Sequence, residues 1–216
     1  MTDENARKLV LSGLDSIKVS LDGVTQDTYS KYRRGGDFNK VVNNIKLLLK
    51  IRSEANKENP FIEVQFIVMK HNEHEIEKIK QLCLDLRVDS LVIEKLRPDL
   101  CQEYIYPDDY CIDKSKDWLP KDPSYSFFDY NTKTRKNMPK VCRWLWMSAV
   151  ISWDGSIAPC CGFYDECYDF GNFFKESFWA VWNGPKYIAA RKLIGKRKVS
   201  YGELACTRCF KHGIVG

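Results

Sequence analysis

FIEVQFIVM, positions 61–69, decides the fold class of this chain. The run follows Pro60, is rich in β-branched and aromatic residues, and reads as a strand. Upstream, DSIKVSL (15–21) alternates, with Ile17, Val19 and Leu21 on one face and Lys18, Ser20 and then Asp22 on the other. Between the two, Phe38, Val41, Val42, Ile45, Leu48 and Leu49 recur at helical spacing behind Asp37, a suitable N-cap. Further upstream, Ala6, Leu9 and Val10 mark a short helix that Gly13 can end. Downstream, Asn72 with Glu75 forms a capping arrangement for a helix carrying Ile76, Ile79, Cys83 and Leu86. SLVIEKL (90–96) is a third strand. Strands separated by helices of this length imply parallel βαβ units, as a barrel segment or an open sheet, and an α/β class. Three strands cannot close a barrel, and they leave two unpaired edges.

The pattern stops near residue 97. Pro98, Pro107, Pro120, Pro123 and Pro139 punctuate a polar connector over 98–140. In 141–216, Met147–Trp153 and Ser156–Pro159 flank Asp154–Gly155, a two-residue hairpin signal. Phe178–Ile194 reads as helix in two pieces, broken around Gly184–Pro185. The expected architecture is therefore an incomplete parallel βα barrel segment (1–97), the connector, and a small α+β domain (141–216).

The composition is that of a soluble globular protein: 44% hydrophobic and 29% charged over 216 residues, with a net charge of +5. RKLIGKRK (191–198) holds much of that charge and reads as a solvated helix end rather than a nucleic-acid patch. No apolar run approaches the roughly 20 residues of a membrane helix, and MTDENARKLVLSG does not have the form of a signal peptide. A cytoplasmic setting, without nucleic-acid or membrane partners, is the expectation. Histidines 71, 74 and 212 form no visible metal or triad set, and His71 and His74, straddling a helix start, read as solvated.

A reducing setting turns the nine cysteines toward metal or redox chemistry rather than disulfides. Cys83 reads as ordinary core, and Cys101 and Cys111 have no obvious partners. The other six crowd into the last 75 positions. Four of them make a site: Cys142, seventeen residues, Cys160, forty-five residues, then Cys206-Thr-Arg-Cys209. A CxxC pair offers two thiolates from one turn of chain, and two more complete a four-sulfur site. Strict hairpin pairing sets Cys160 opposite Ala149, so residues 142–148 must bend to bring Cys142 near. Neighbouring strand residues face opposite ways, which favours Cys160 over Cys161 and leaves Cys161 and Cys167 as buried small hydrophobes or substitute ligands. Zinc and iron–sulfur clusters both accept four thiolates, so ligand type alone leaves the metal open.

Cys142, the hairpin WDGSIAPCC (153–161), YDFGN (168–172), FWAVWN (178–183) and Cys206–Cys209 together resemble the SPASM domain at the C-terminus of many radical S-adenosylmethionine (SAM) enzymes, in its shorter form with one auxiliary [4Fe–4S] cluster. DSIKVSLDG (15–23) with YRRGGDF (32–38), FIEVQFIVMKHN (61–72) and SLVIEKL resemble the fourth, fifth and sixth strands of the partial radical SAM barrel and their following segments. That resemblance implies Ser20, Asp22 and Arg34 near SAM or substrate, and a flavodoxin- or ferredoxin-type reductant. It also implies radical-based modification of a peptide, protein or small molecule.

The sequence departs from the family at its catalytic loop. No CxxxCxxC occurs anywhere in it, and the glycine-rich motif that holds the SAM amine is absent. The expectation is a fragment covering the later half of the barrel, unable to cleave SAM alone. A second function class, a non-catalytic cysteine-metal module that binds a protein partner, stays open on the residues.

Overall fold

The computed structural model describes residues 1–96, 116–127, 129–132, 136, 141–162, 166–195, 202 and 204–211. They divide into two compact units, the first holding 1–96 with 116–126 and the second the described residues from Phe127 onward.

The first unit runs α1 (Asp3–Leu11), β1 (Ser16–Ser20), α2 (Gln26–Tyr32), α3 (Phe38–Glu54), β2 (Phe61–Val68), α4 (Ile76–Leu86) and β3 (Ser90–Lys95). The strands form one parallel sheet in the order β1-β2-β3, with Val19 beside Val64 and Val64 beside Leu91. Alternation divides the sheet. Ile62, Val64, Phe66 and Val68 are fully buried beneath Ala6 and Val10 of α1, Val42, Ile45, Leu48 and Ile51 of α3, and Ile76, Ile79 and Cys83 of α4. The other face carries Lys18, Ser20, Glu63, Gln65, Ser90 and Glu94, with Lys18 paired to Glu63 at 2.8 Å. A sheet covered on one face and polar on the other is what a barrel segment presents toward its lumen.

The helix starts follow their caps. Thr2, Thr25 and Asp37 each accept a hydrogen bond from the N–H three residues on, satisfying a free donor of the first turn. The expected capping role of Asn72 is not found. Its side chain is buried and turned back, accepting from the Met69 N–H at 2.6 Å and donating to the carbonyls of Asp22 and Ile67. Glu75 points away as well, accepting from the Val24 N–H at 3.0 Å and the Thr28 hydroxyl at 3.0 Å. Both residues tie the β1–α2 loop to the end of β2 instead of closing a helix end. At the opposite rim Asp89 accepts from the Ile62 N–H at 2.7 Å and pairs with Arg52 of α3. Beyond β3, Leu96 makes a parallel bridge to Ser126.

The second unit holds α5 (Trp144–Met147), β4 (Val150–Ile151), β5 (Ser156–Ala158), β6 (Gly171–Asn172), α6 (Phe178–Trp182), α7 (Pro185–Ile194) and α8 (Ala205–Lys211). β4-β5-β6 form an antiparallel sheet. The hairpin exists, but Val150 pairs with Ala158 and Ile151 with Ile157, one residue out of the expected register. The Gly155 N–H donates to the Ser152 carbonyl, and Gly155 sits at φ +81°, so the loop has three residues, a turn closed by a left-handed glycine. Residues 144–147, expected to lead into a strand, form a helical turn, and this is the bend that takes Cys142 off the hairpin axis. Pro185 opens α7 at its first turn, as the break at Gly184–Pro185 implied. The core comprises Leu145, Ile157, Phe170, Val181, Tyr187, Ala190, Ile194 and Leu204, with Cys206 among them.

Candidate metal centre

α8 puts Cys206 and Cys209 three residues apart on one helix, hence on one side of it. α8 packs on α7, which also receives α5 and α6. Cys206 is buried, and Cys142 and Cys209 pack as half-buried groups against the same apolar cluster. Cys160, two residues beyond β5, packs with Cys209 against Tyr168 and Ala205. The four thiols share one region of low dielectric, and their electrostatics reflect it. Burial pushes the Cys206 thiol far above the usual range, and Cys209, Cys160 and Cys142 push it further. Burial likewise pushes Cys160 up to about 11, opposed by a hydrogen bond from the Gly162 backbone and reinforced by Cys161 and Cys142. Thiols crowded in an apolar pocket resist ionisation until a cation compensates them, so the pocket suits a positively charged thiophilic group. Among the described residues, no three His, Cys, Asp or Glu side chains are grouped as ligands of a single ion.

Cys161 and Cys167 are not the buried hydrophobes expected; both are exposed. The strand ends at Ala158, so alternation no longer governs positions 160 and 161. Cys83 is core, its thiol pushed up to about 11 by burial. Cys101 and Cys111 lie outside the described residues, as does His212.

On the first unit, Ser20 stands half-buried on the polar sheet face beside Gln65. Asp22 lies past the end of β1 and is fully buried. Its carboxylate accepts from Arg33 Nε at 2.6 Å and from the Ile67 N–H at 2.7 Å. Arg34 is exposed, and the residue that reaches Asp22 is its neighbour Arg33. His71 is not a solvated side chain: its Nε2 is buried without a partner, and its ring stands edge-on to Trp118 at 5.5 Å. Burial lowers its pKa, and Lys31 lowers it further. Arg191, read as part of a solvated helix end, donates to the carbonyls of Leu145 and Trp182, both at 2.9 Å.

Both units have counterparts among known proteins. Residues 142–210 match the family model of SPASM, an iron–sulfur cluster-binding domain. The tungsten-containing aldehyde ferredoxin oxidoreductase cofactor-modifying protein of Pyrococcus furiosus is 28% identical over 97% of this chain and 62% of its own length. A probable GTP 3′,8-cyclase of Saccharolobus solfataricus is 32% identical over 93 residues, 43% of this chain and 28% of its own length. The solved structure of native anSMEcpe with bound AdoMet superposes at a TM-score of 0.55 and 14% identity, over 99% of this chain and 62% of that one. The same protein with AdoMet and the Kp18Cys peptide gives 0.52 at 13% identity. Residues 142–210 are thus an iron–sulfur cluster-binding domain of the SPASM family. Over 97% of its length the chain is similar to the Pyrococcus cofactor-modifying protein, and its fold, a parallel βα segment followed by that domain, is shared with the AdoMet-bound anSMEcpe structure. It spans about 62% of the length of the Pyrococcus relative. No helix among the described residues is long and apolar enough to cross a membrane.

Proposed function

We propose that Cys142, Cys160, Cys206 and Cys209 hold one [4Fe–4S] cluster, auxiliary to radical-based modification of a cofactor, peptide or protein. The observation that supports this reading is the packing of four thiols, from three separate stretches of the chain, against two apolar clusters that share Cys209 within the SPASM segment. Bound there, such a cluster supplies one-electron redox chemistry; four thiolates leave no iron open to a substrate. The protein's own part is to position and to keep dry. α8 fixes two sulfurs at helical spacing, the hairpin delivers Cys160, the α5 bend delivers Cys142, and the aromatic core excludes water from the ligands.

The polar face of the parallel sheet supplies the second element of the proposal. Ser20 of that face and Arg34, exposed in the turn after α2, are the groups assigned to cofactor or substrate. Asp22, already engaged by Arg33 and Ile67, contributes by holding the rim on which they sit. SAM is the cofactor this face would serve, and a flavodoxin or ferredoxin the reductant. Because the sequence contains no CxxxCxxC, the chain by itself should not cleave SAM.

Anaerobic reconstitution followed by iron and sulfide analysis tests the first statement, with about four of each per chain and broad absorbance near 400 nm expected. Stoichiometric zinc without iron would replace the cluster by the cysteine-metal module. Incubation with SAM and dithionite tests the second. Repeated formation of 5′-deoxyadenosine by this chain alone would overturn it.

A further inference from the structure

Tyr187 of α7 is among the largest fully buried side chains, with 0% of its surface exposed, and its hydroxyl has no hydrogen-bond partner. A buried, unpaired hydroxyl costs about 1–3 kcal/mol and is rare unless something absent from the structure completes it. The ring is held on every side that matters. Phe170 meets it edge-on at 4.8 Å, Trp182 packs at 4.8 Å, and the Arg191 guanidinium lies 5.0 Å over it. Arg191 is itself held by the Leu145 and Trp182 carbonyls, both at 2.9 Å. Tyr187 and Cys206 belong to one buried cluster, and Cys142 and Cys209 pack against it. The hydroxyl thus lies in the core that the proposed ligands border, where no described group bonds to it.

We propose that the Tyr187 hydroxyl is a positioning and tuning group for the metal centre, donating its hydrogen bond to a sulfur of the occupied site, either a cysteine Sγ or an inorganic sulfide. This rests on the proposed cluster but adds a residue that binds no metal. A donor at sulfur withdraws electron density and stabilises the reduced, more negative state, so it raises the reduction potential. It also gives the unpaired hydroxyl its partner, which couples α7 to site occupancy.

The test is Tyr187→Phe in the full chain, which removes the hydroxyl and keeps the ring. Wild type and variant are reconstituted anaerobically, and each is measured for iron content, potential by dye-mediated titration, iron–sulfur vibrations by resonance Raman, and thermal stability with and without iron. The variant should bind the same iron and titrate at a lower potential. A tenfold change in the reduced-to-oxidised ratio, 59 mV for one electron, is the scale expected. Its iron–sulfur stretches should shift, and without iron it should be as stable as wild type or more so. An unchanged potential and unchanged vibrations at equal iron content overturn the inference and leave the cluster standing. A wild-type chain that takes up no cluster overturns both. If the variant misfolds, replacing Tyr187 by a ring-fluorinated tyrosine still decides: its more acidic hydroxyl is a stronger donor, so the potential should rise above the wild-type value at equal iron content, and an unchanged potential overturns the assignment.

Discussion

The two units solve the problem of a buried interior in different ways. In the parallel-sheet unit the core is hydrocarbon apart from the single thiol of Cys83, and the buried polar residues Asp22, Asn72, Glu75 and Thr28 all have partners. In the cysteine unit the sheet is only two or three residues deep per strand, and the core itself contains Cys206 and the unpaired Tyr187 hydroxyl. The cysteine unit also exposes large apolar side chains: Trp153 is 94% exposed, Phe174 73% and Trp179 67%. A small unit that buries so little of its own aromatic surface needs a further cross-link, and a metal centre is the usual one. Each unit leaves one buried side-chain polar atom without a partner among the described residues, His71 Nε2 in the first and the Tyr187 hydroxyl in the second, but only Tyr187 sits in a core that also holds thiols proposed as ligands.

The contrast is broken most sharply by Cys160→Ala. Iron should fall from about four per chain to less than one, and the unfolding transition of the cysteine unit should drop while that of the sheet unit stays in place. Loss of both transitions together, by calorimetry, would show that the units are not separable in this way. The converse is Phe66→Ala, which opens a cavity under β2. It should cost the sheet unit about 3–5 kcal/mol in urea titration and leave iron content unchanged.

Asp89 gives a smaller effect with a pH signature. Burial pushes its carboxyl up, but the Arg52 guanidinium and the Ile62 N–H outweigh burial and hold it below its ordinary value of 3.8. A depressed folded pKa adds stability that is present above about pH 3.8 and lost as pH falls through the folded value. Asp89→Ala should therefore cost about 1–3 kcal/mol at neutral pH, and the deficit should vanish in acid. A deficit that grows on acidification would reverse the sign and remove this account. The smallest effect belongs to Cys161→Ala: iron content unchanged and stability within about 0.5 kcal/mol, because the residue is exposed. If that variant loses its iron while Cys160→Ala keeps it, the ligand assignment between the two is wrong.

What the sequence disclosed follows the same division. In the sheet unit, alternation and helical spacing report burial directly, so the three strands, their parallel sense and the Asp37 cap could be read from the residue pattern. The roles of Asn72 and Glu75 could not, because their partners, Asp22 and Val24, are about fifty positions away. In the cysteine unit the order of motifs was legible but the geometry was not. A two-residue turn at Asp154–Gly155 and a three-residue loop ending at Gly155 differ by the single Ser152 carbonyl contact. That difference moves the register by one. β5 ends at Ala158, just before Pro159, so the strand alternation used to choose between Cys160 and Cys161 does not extend to them. Tyr187 has the local signature of any apolar helix position. Only the missing partner of its hydroxyl sets it apart.

The wide separation of the four sulfurs along the chain also has a meaning in time. Forty-five residues lie between Cys160 and Cys206. At about 5–20 residues per second, a ribosome takes about 2–9 s to make them. Through that interval the nascent chain carries Cys142 and Cys160 as a two-thiol half-site, able to capture a stray ion or be oxidised, while α8 does not yet exist. A centre held by all four sulfurs, as proposed, would therefore be completed only after α8 is made.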